Sequence, residues 1–181
     1  MNMTETTIKS TELFHGRVLH MKVDEVSLDD GSRSTREWVE HPGGVCIAAL
    51  DGQNNLLFVR QFRYPYKEIV LELPAGKLEP GSTPLDNGKR ELLEETGAEG
   101  YSFISLGQVY PSTGYTNEII HLYACRIQSR GACQPDEGEL LCQEKIPLNK
   151  AVEMVLNNQI PDAKTQIAVM KTYLLLQSGN I

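Results

Sequence analysis

Residues 76–98 read GKLEPGSTPLDNGKRELLEETGA, and the second half of that stretch decides how the chain around it is organised. Thr83 is a good helix N-cap, Pro84 suits the first helical position, and Asp86 stands at the capping-box position. Good helix formers continue from Leu85 to Thr96, with Gly88 as a weak spot, and Gly97 is placed to close the helix in a left-handed conformation. On this predicted helix Glu91, Glu94 and Glu95 fall at i, i+3 and i+4, so three carboxylates share one face. Like charges at that spacing repel, and only Arg90 is adjacent to relieve them. An isolated run of this kind is ordinarily a solvated acidic face. A hard divalent cation among the carboxylates is the alternative, since magnesium prefers carboxylate oxygens and bridges to substrate phosphate.

Working outward, Val18 to Leu28 and Ser34 to Glu40 read as a hairpin turning at Asp29-Asp30-Gly31-Ser32. Val45 to Leu50 and Leu56 to Tyr64 read as another hairpin, and Ile69 to Leu73 as a short strand ending at Pro74-Ala75-Gly76. Further strands are expected at Phe103 to Val109 and Glu118 to Arg126, and helices at Leu148 to Asn157 and Ala163 to Gln177. Strands and helices mix without regular β-α-β alternation. The fold class is therefore α/β of the α+β kind, with a mixed sheet flanked by helices.

The bulk composition narrows the function. A chain of 181 residues, 40% apolar and 23% charged, makes one globular domain with at most a small appendage. A net charge of −7 argues against nucleic acid or an anionic membrane as partner. An acidic protein that binds an anion must neutralise it with bound cations or a few well-placed arginines. Cys46, Cys125, Cys133 and Cys142 form no C-x-x-C pair, so they read as small buried apolar residues in a reducing compartment. His15, His20, His41 and His121 are scattered and show no metal spacing. No signal-peptide pattern or membrane span is visible, which makes the cytoplasm the expected location.

Gly76, Arg90, Glu91, Leu92, Glu94, Glu95 and Gly97 together resemble the Nudix box, G-x5-E-x7-R-E-U-x-E-E-x-G-U with U a bulky aliphatic residue. Two positions depart: the early glutamate is Ser82, and the closing aliphatic is Ala98. The flanks Arg60-Gln61-Phe62-Arg63-Tyr64-Pro65, Leu71 to Gly81, Pro111 to Glu118 and Ile160-Pro161-Asp162-Ala163-Lys164-Thr165 resemble the ADP-ribose pyrophosphatase branch of that family. The branch usually has S-P-G where this chain has Ser112-Thr113-Gly114.

That resemblance implies a Nudix-type mixed sheet sandwiched between helices. It places N-terminal strands in residues 1–41, expected to mediate a homodimer, and a hydrolase domain in residues 42–181. It implies cleavage of the diphosphate bond of a small nucleotide, ADP-ribose giving AMP and ribose 5-phosphate. GDP-mannose or another nucleotide sugar is the alternative substrate, and an inactive domain that senses ADP-ribose is the alternative of another class. Mg2+ is the implied cofactor, with Mn2+ as a substitute. Glu91 and Glu95 would be the main ligands, with Glu94 and the Ala75 carbonyl beside them. Arg63 would contact the diphosphate as a planar bidentate donor. Glu72 would touch the ribose or a metal, or be structural; Glu118 would help the site or hold its loop. The base would lie in Pro135-Asp136-Glu137-Gly138-Glu139-Leu140, with Glu139 favoured by the family's G-E-aliphatic pattern and Glu137 close behind. Trp38 would stack on adenine or pack in a hairpin or dimer interface.

Overall fold

The structure is a computed structural model that describes residues 3–134 and 140–181. The chain divides into one unit of residues 1–43 with 110–119, and another of 44–109 with 120–181.

In the first unit β1 (Glu5–His15), β2 (His20–Leu28) and β3 (Arg33–Glu40) form an antiparallel sheet in that order. The expected β2–β3 hairpin forms, turning through Gly31 at φ 80. β1 escaped the sequence reading because ETTIKSTELFH has no alternation to detect. All eleven of its residues are exposed, so it is held by backbone pairing rather than by a buried face. The segment 110–119 is tied to β3, where Val39 N donates to Tyr115 O at 2.8 Å.

The second unit is built on β4 (Gly44–Leu50), whose seven residues are all buried. It pairs in parallel with β9 (Ile120–Arg130) and antiparallel with β7 (Ala75–Lys77). The remaining strands are β5 (Asn55–Arg63), β6 (Glu68–Glu72), β8 (Ala98–Val109) and β10 (Leu141–Pro147), giving a mixed sheet ordered β10-β5-β4-β9-β8. Alternate β4 residues feed opposite cores. Val45, Ile47 and Ala49 pack with Leu92 of α1 (Pro84–Thr96). Cys46, Ala48 and Leu50 pack with Ala151 of α2 (Leu148–Leu156) and with Ala168 and Val169 of α3 (Ala163–Gln177). Helices thus cover both faces of the sheet, as expected, and the unbroken apolar run of β4 suits a strand buried on both sides.

Three expectations need correction. The hairpin of Val45–Leu50 with Leu56–Tyr64 closes only at its turn, with Leu50 opposite Leu56. Beyond that pair β5 turns to β6 and β10 while β4 takes β9 and β7. β7 and β10 were not foreseen: one is three residues long, and the other, LCQEKIP, lacks a strand composition. Cys46 and Cys125 are buried, but Cys133 and Cys142 are exposed. Among the described residues no helix is long and apolar enough to cross a membrane.

Candidate functional site

Helix α1 begins and ends as its sequence dictates. Thr83 Oγ1 accepts from Asp86 N at 3.2 Å, and Gly97, at φ 68, donates its N–H to Leu93 O at 2.8 Å. Gly88 has a packing reason, since a Cβ there would stand 2.6 Å from Ile47 Cδ1 and 2.9 Å from Val45 Cγ2. The close approach lets the helix lie on β4. Carbonyls near its C-terminus are bound by other elements: Gln134 N donates to Glu94 O and Gln143 Nε2 to Glu95 O, each at 2.8 Å.

With Leu92 buried against β4, the flanking Glu91 and Glu95 meet the chain at Pro74 and the start of β7. Ala75 N donates to Glu95 Oε2 at 3.1 Å. Gly76 lies so close that an added Cβ would stand 1.9 Å from Glu91 Oε1. Arg90 spans the neighbouring carboxylates, with Nη2 2.6 Å from Glu91 Oε1 and Nη1 2.5 Å from Glu94 Oε2. The backbone of Ala75 and Gly76 and two helical carboxylates therefore converge, and the carboxylates are hard oxygen ligands that suit magnesium or manganese.

Beside this loop sits a buried charge network. Glu72, the last residue of β6, is 2% exposed. Arg63 clasps it with Nε at 2.6 Å and Nη2 at 2.8 Å. Lys164 of α3 also donates to Glu72 and reaches Asp162 Oδ1 at 3.0 Å. Asp162 caps α3 by accepting from Thr165 N at 3.0 Å, and Thr165 Oγ1 accepts from Leu73 N at 2.9 Å. Burial by itself would raise the Glu72 carboxyl. Its contacts with Arg63 and Lys164 outweigh that and hold it below the usual range. Burial likewise opposes the Lys164 charge, yet Asp162 and Glu72 raise its pKa above the ordinary value. The pair is ionised at neutral pH.

The chain matches the NUDIX domain over residues 40–166. It is 41% identical over 177 residues to the "Methanol dehydrogenase activator" of Bacillus methanolicus, covering 97% of this chain and 95% of the relative. It is 34% identical over 180 residues to the "ADP-ribose pyrophosphatase" of Bacillus subtilis (strain 168), covering 98% and 96%. This chain belongs to the Nudix family. A solved structure described as an ADP compounds hydrolase matches the whole of both chains with a TM-score of 0.86 at 18% identity, a likeness of fold. The protein is a Nudix hydrolase, a class that generally uses divalent metals and acts on small nucleotides.

Within the Nudix box the departure at Ser82 is offset nearby. Glu79 Oε1 lies 3.5 Å from Arg90 Nη2, a carboxylate for the arginine that Ser82 cannot supply. Asn87 ties the loop to the helix, accepting from Glu79 N at 3.2 Å and donating to Thr83 O at 2.9 Å. Ala98, the other departure, is fully buried in one core cluster with Leu92 and Cys125.

The named residues fall into three groups. Arg63, Glu72, Ala75, Glu91, Glu94 and Glu95 all lie in the second unit, linked as described above. Trp38 and Glu118 belong to the first. Trp38 Nε1 donates to Asp24 Oδ2 at 3.0 Å and Lys22 Nζ lies 5.1 Å from its ring; Glu118 faces His41 at 3.5 Å. Glu137 and Glu139 lie outside the described residues. Sequence reasoning passed over the roles of Lys164, Asp162 and Thr165. Their signal was present: Asp162-Ala163-Lys164-Thr165 is an N-cap pattern with a cation in the first helical turn, where the helix dipole disfavours one.

Proposed function

We propose that this Nudix hydrolase cleaves the diphosphate bond of a nucleoside diphosphate sugar, with ADP-ribose as substrate and AMP and ribose 5-phosphate as products. The observation that carries the reading is the convergence of Glu91 and Glu95 on the backbone at Ala75 and Gly76, beside the Arg63–Glu72 pair. The similarity to a named ADP-ribose pyrophosphatase supports the choice of substrate. GDP-mannose is the competing substrate.

Glu91 and Glu95 would hold Mg2+ or Mn2+, with Glu94 and the Ala75 carbonyl beside them. When bound, the cation supplies Lewis-acid charge neutralisation for the diphosphate. The rest belongs to the chain. Arg63 offers its planar guanidinium to the diphosphate while Glu72 fixes its orientation. Glu139, or Glu137, takes the proton of the attacking water. In support, Gln134, the last described residue before that segment, is bonded to Glu94 O at the carboxylate helix. Trp38 stacks on the base and Glu118 supports its loop. A homodimer through the N-terminal strands and cytoplasmic residence complete the proposal.

A panel of nucleoside diphosphate sugars with magnesium, assayed for phosphate-ester products, tests the reading. Rapid release of AMP from ADP-ribose is expected. Preferential hydrolysis of GDP-mannose would replace the substrate, and binding of ADP-ribose without turnover would make the protein a sensor. The relative named for activating a methanol dehydrogenase supports a second reading, so the panel includes the rate of such a dehydrogenase with and without this protein. A rise in that rate would assign the activating role.

A further inference from the structure

The sequence scatters its histidines, yet the pairing of β1 with β2 brings two of them together. His15 and His20 are cross-strand partners at the neck of the turn 16–19, where Gly16 N donates to Leu19 O at 2.9 Å. Directly opposed residues project to one face of a sheet with Cβ atoms about 4.5–5.5 Å apart. The two rings accordingly stack, with centroids 3.8 Å apart and planes inclined by 24°. A register shift between Glu12 and Phe14 brings Glu12 to the same place, with Oε1 3.1 Å from His15 Nδ1. One carboxylate oxygen and one nitrogen from each ring lie within 4.8 Å of one another. On the other side of β2, Glu40 Oε2 stands 3.5 Å from His20 Nδ1 and is itself held by Lys22 Nζ at 2.8 Å.

We propose that Glu12, His15 and His20 form a second metal site, for a borderline divalent ion of the zinc, nickel or copper class. Two imidazoles and one carboxylate favour such ions, whereas magnesium prefers an all-oxygen environment like that of α1. Around zinc with bonds of about 2.0–2.1 Å, tetrahedral ligand atoms sit roughly 3.3 Å apart. Rotation of three side chains that are not buried in the core closes the remaining ångström or so without disturbing packing. Three protein ligands leave a position open for water. Glu40 beside His20 is placed to orient that ring, as a carboxylate commonly does for a metal-bound histidine. The ion would also clip β1 to β2 at the end where β1 has no buried face to hold it. This site uses none of the Nudix-box residues, so it stands or falls separately from the proposed hydrolysis.

The test is a zinc titration of the full chain in excess magnesium, followed through the imidazole nitrogen resonances by NMR. His15 and His20 should shift together and saturate at one equivalent, with His41 and His121 unmoved, and β1 amides should exchange more slowly. His15→Ala and His20→Ala should each abolish that equivalent, and Glu40→Gln should weaken binding about tenfold. Circular dichroism confirms that each variant is folded. Unmoved His15 and His20 resonances at saturating zinc would overturn the proposal. So would zinc binding unchanged in both alanine variants, which would move the ion to the exposed Cys133 and Cys142 or to α1.

Discussion

Two acidic regions lie about twenty residues apart in this chain, and the protein treats them differently. Glu72 is buried and matched by two cations of its own, Arg63 and Lys164. Glu91 and Glu94 on α1 divide one arginine between them, and their side chains are 14% and 28% exposed. A carboxylate supplied with internal cations has a positioning role: it fixes Arg63 and, through Lys164, holds α3, which Thr165 ties independently to Leu73 N just after β6. Carboxylates crowded on one helical face are, in the proposed function, the ones that take up a cation from outside. The first region holds the frame; in the proposed function the second takes up the cation that an acidic protein needs to bind a diphosphate.

Breaking the receiving side should have the larger effect. Glu95→Gln keeps an acceptor for Ala75 N–H, so the melting temperature should hardly change. Its kcat/KM on ADP-ribose should fall about a thousandfold, the loss of several kcal/mol of charge stabilisation. Breaking the framing side should instead appear in stability. Lys164→Met leaves Glu72 buried beside one cation and should cost about 3 kcal/mol in urea unfolding. Gly76→Ala lies between these regions. Its Cβ must displace Glu91, and a misplacement of about 1 Å can cost roughly a hundredfold in rate.

Acid separates the regions further. Glu72 is depressed in the folded state, so its contribution is complete above the unfolded carboxyl value near about 4.3 and is lost as pH falls through the lower folded value. Unfolding followed from neutral pH downward should show that loss in the parent and a smaller one in Lys164→Met. Ser82→Glu should be the mildest change. With Glu79 already near Arg90, a further exposed carboxylate should alter stability by less than about 1 kcal/mol and leave turnover within a few-fold. A large gain in either would mean that Glu79 does not do the work assigned to it.

What could be read from the sequence follows from what is local. Thr83, Pro84 and Gly97 announce both ends of α1, and the spacing of Glu91, Glu94 and Glu95 fixes their shared face, because capping and helical periodicity act within a few residues. The parallel pairing of β4 with β9 joins residues more than seventy positions apart and leaves no local trace. β1 was invisible because pairing without burial imposes no hydrophobic pattern. The same reason hid His15 and His20, which become neighbours only through that pairing. Lys164 could be seen as a residue but not as a partner of Glu72, since ninety-two positions separate them.

Direct binding of Mn2+, counted by electron paramagnetic resonance, tests without recourse to activity whether the acidic face of α1 takes up a divalent cation. The parent should bind manganese, magnesium should displace it, and the double variant Glu91→Gln/Glu95→Gln should lose that binding while remaining folded. Manganese binding of equal affinity and stoichiometry in parent and double variant would contradict the account.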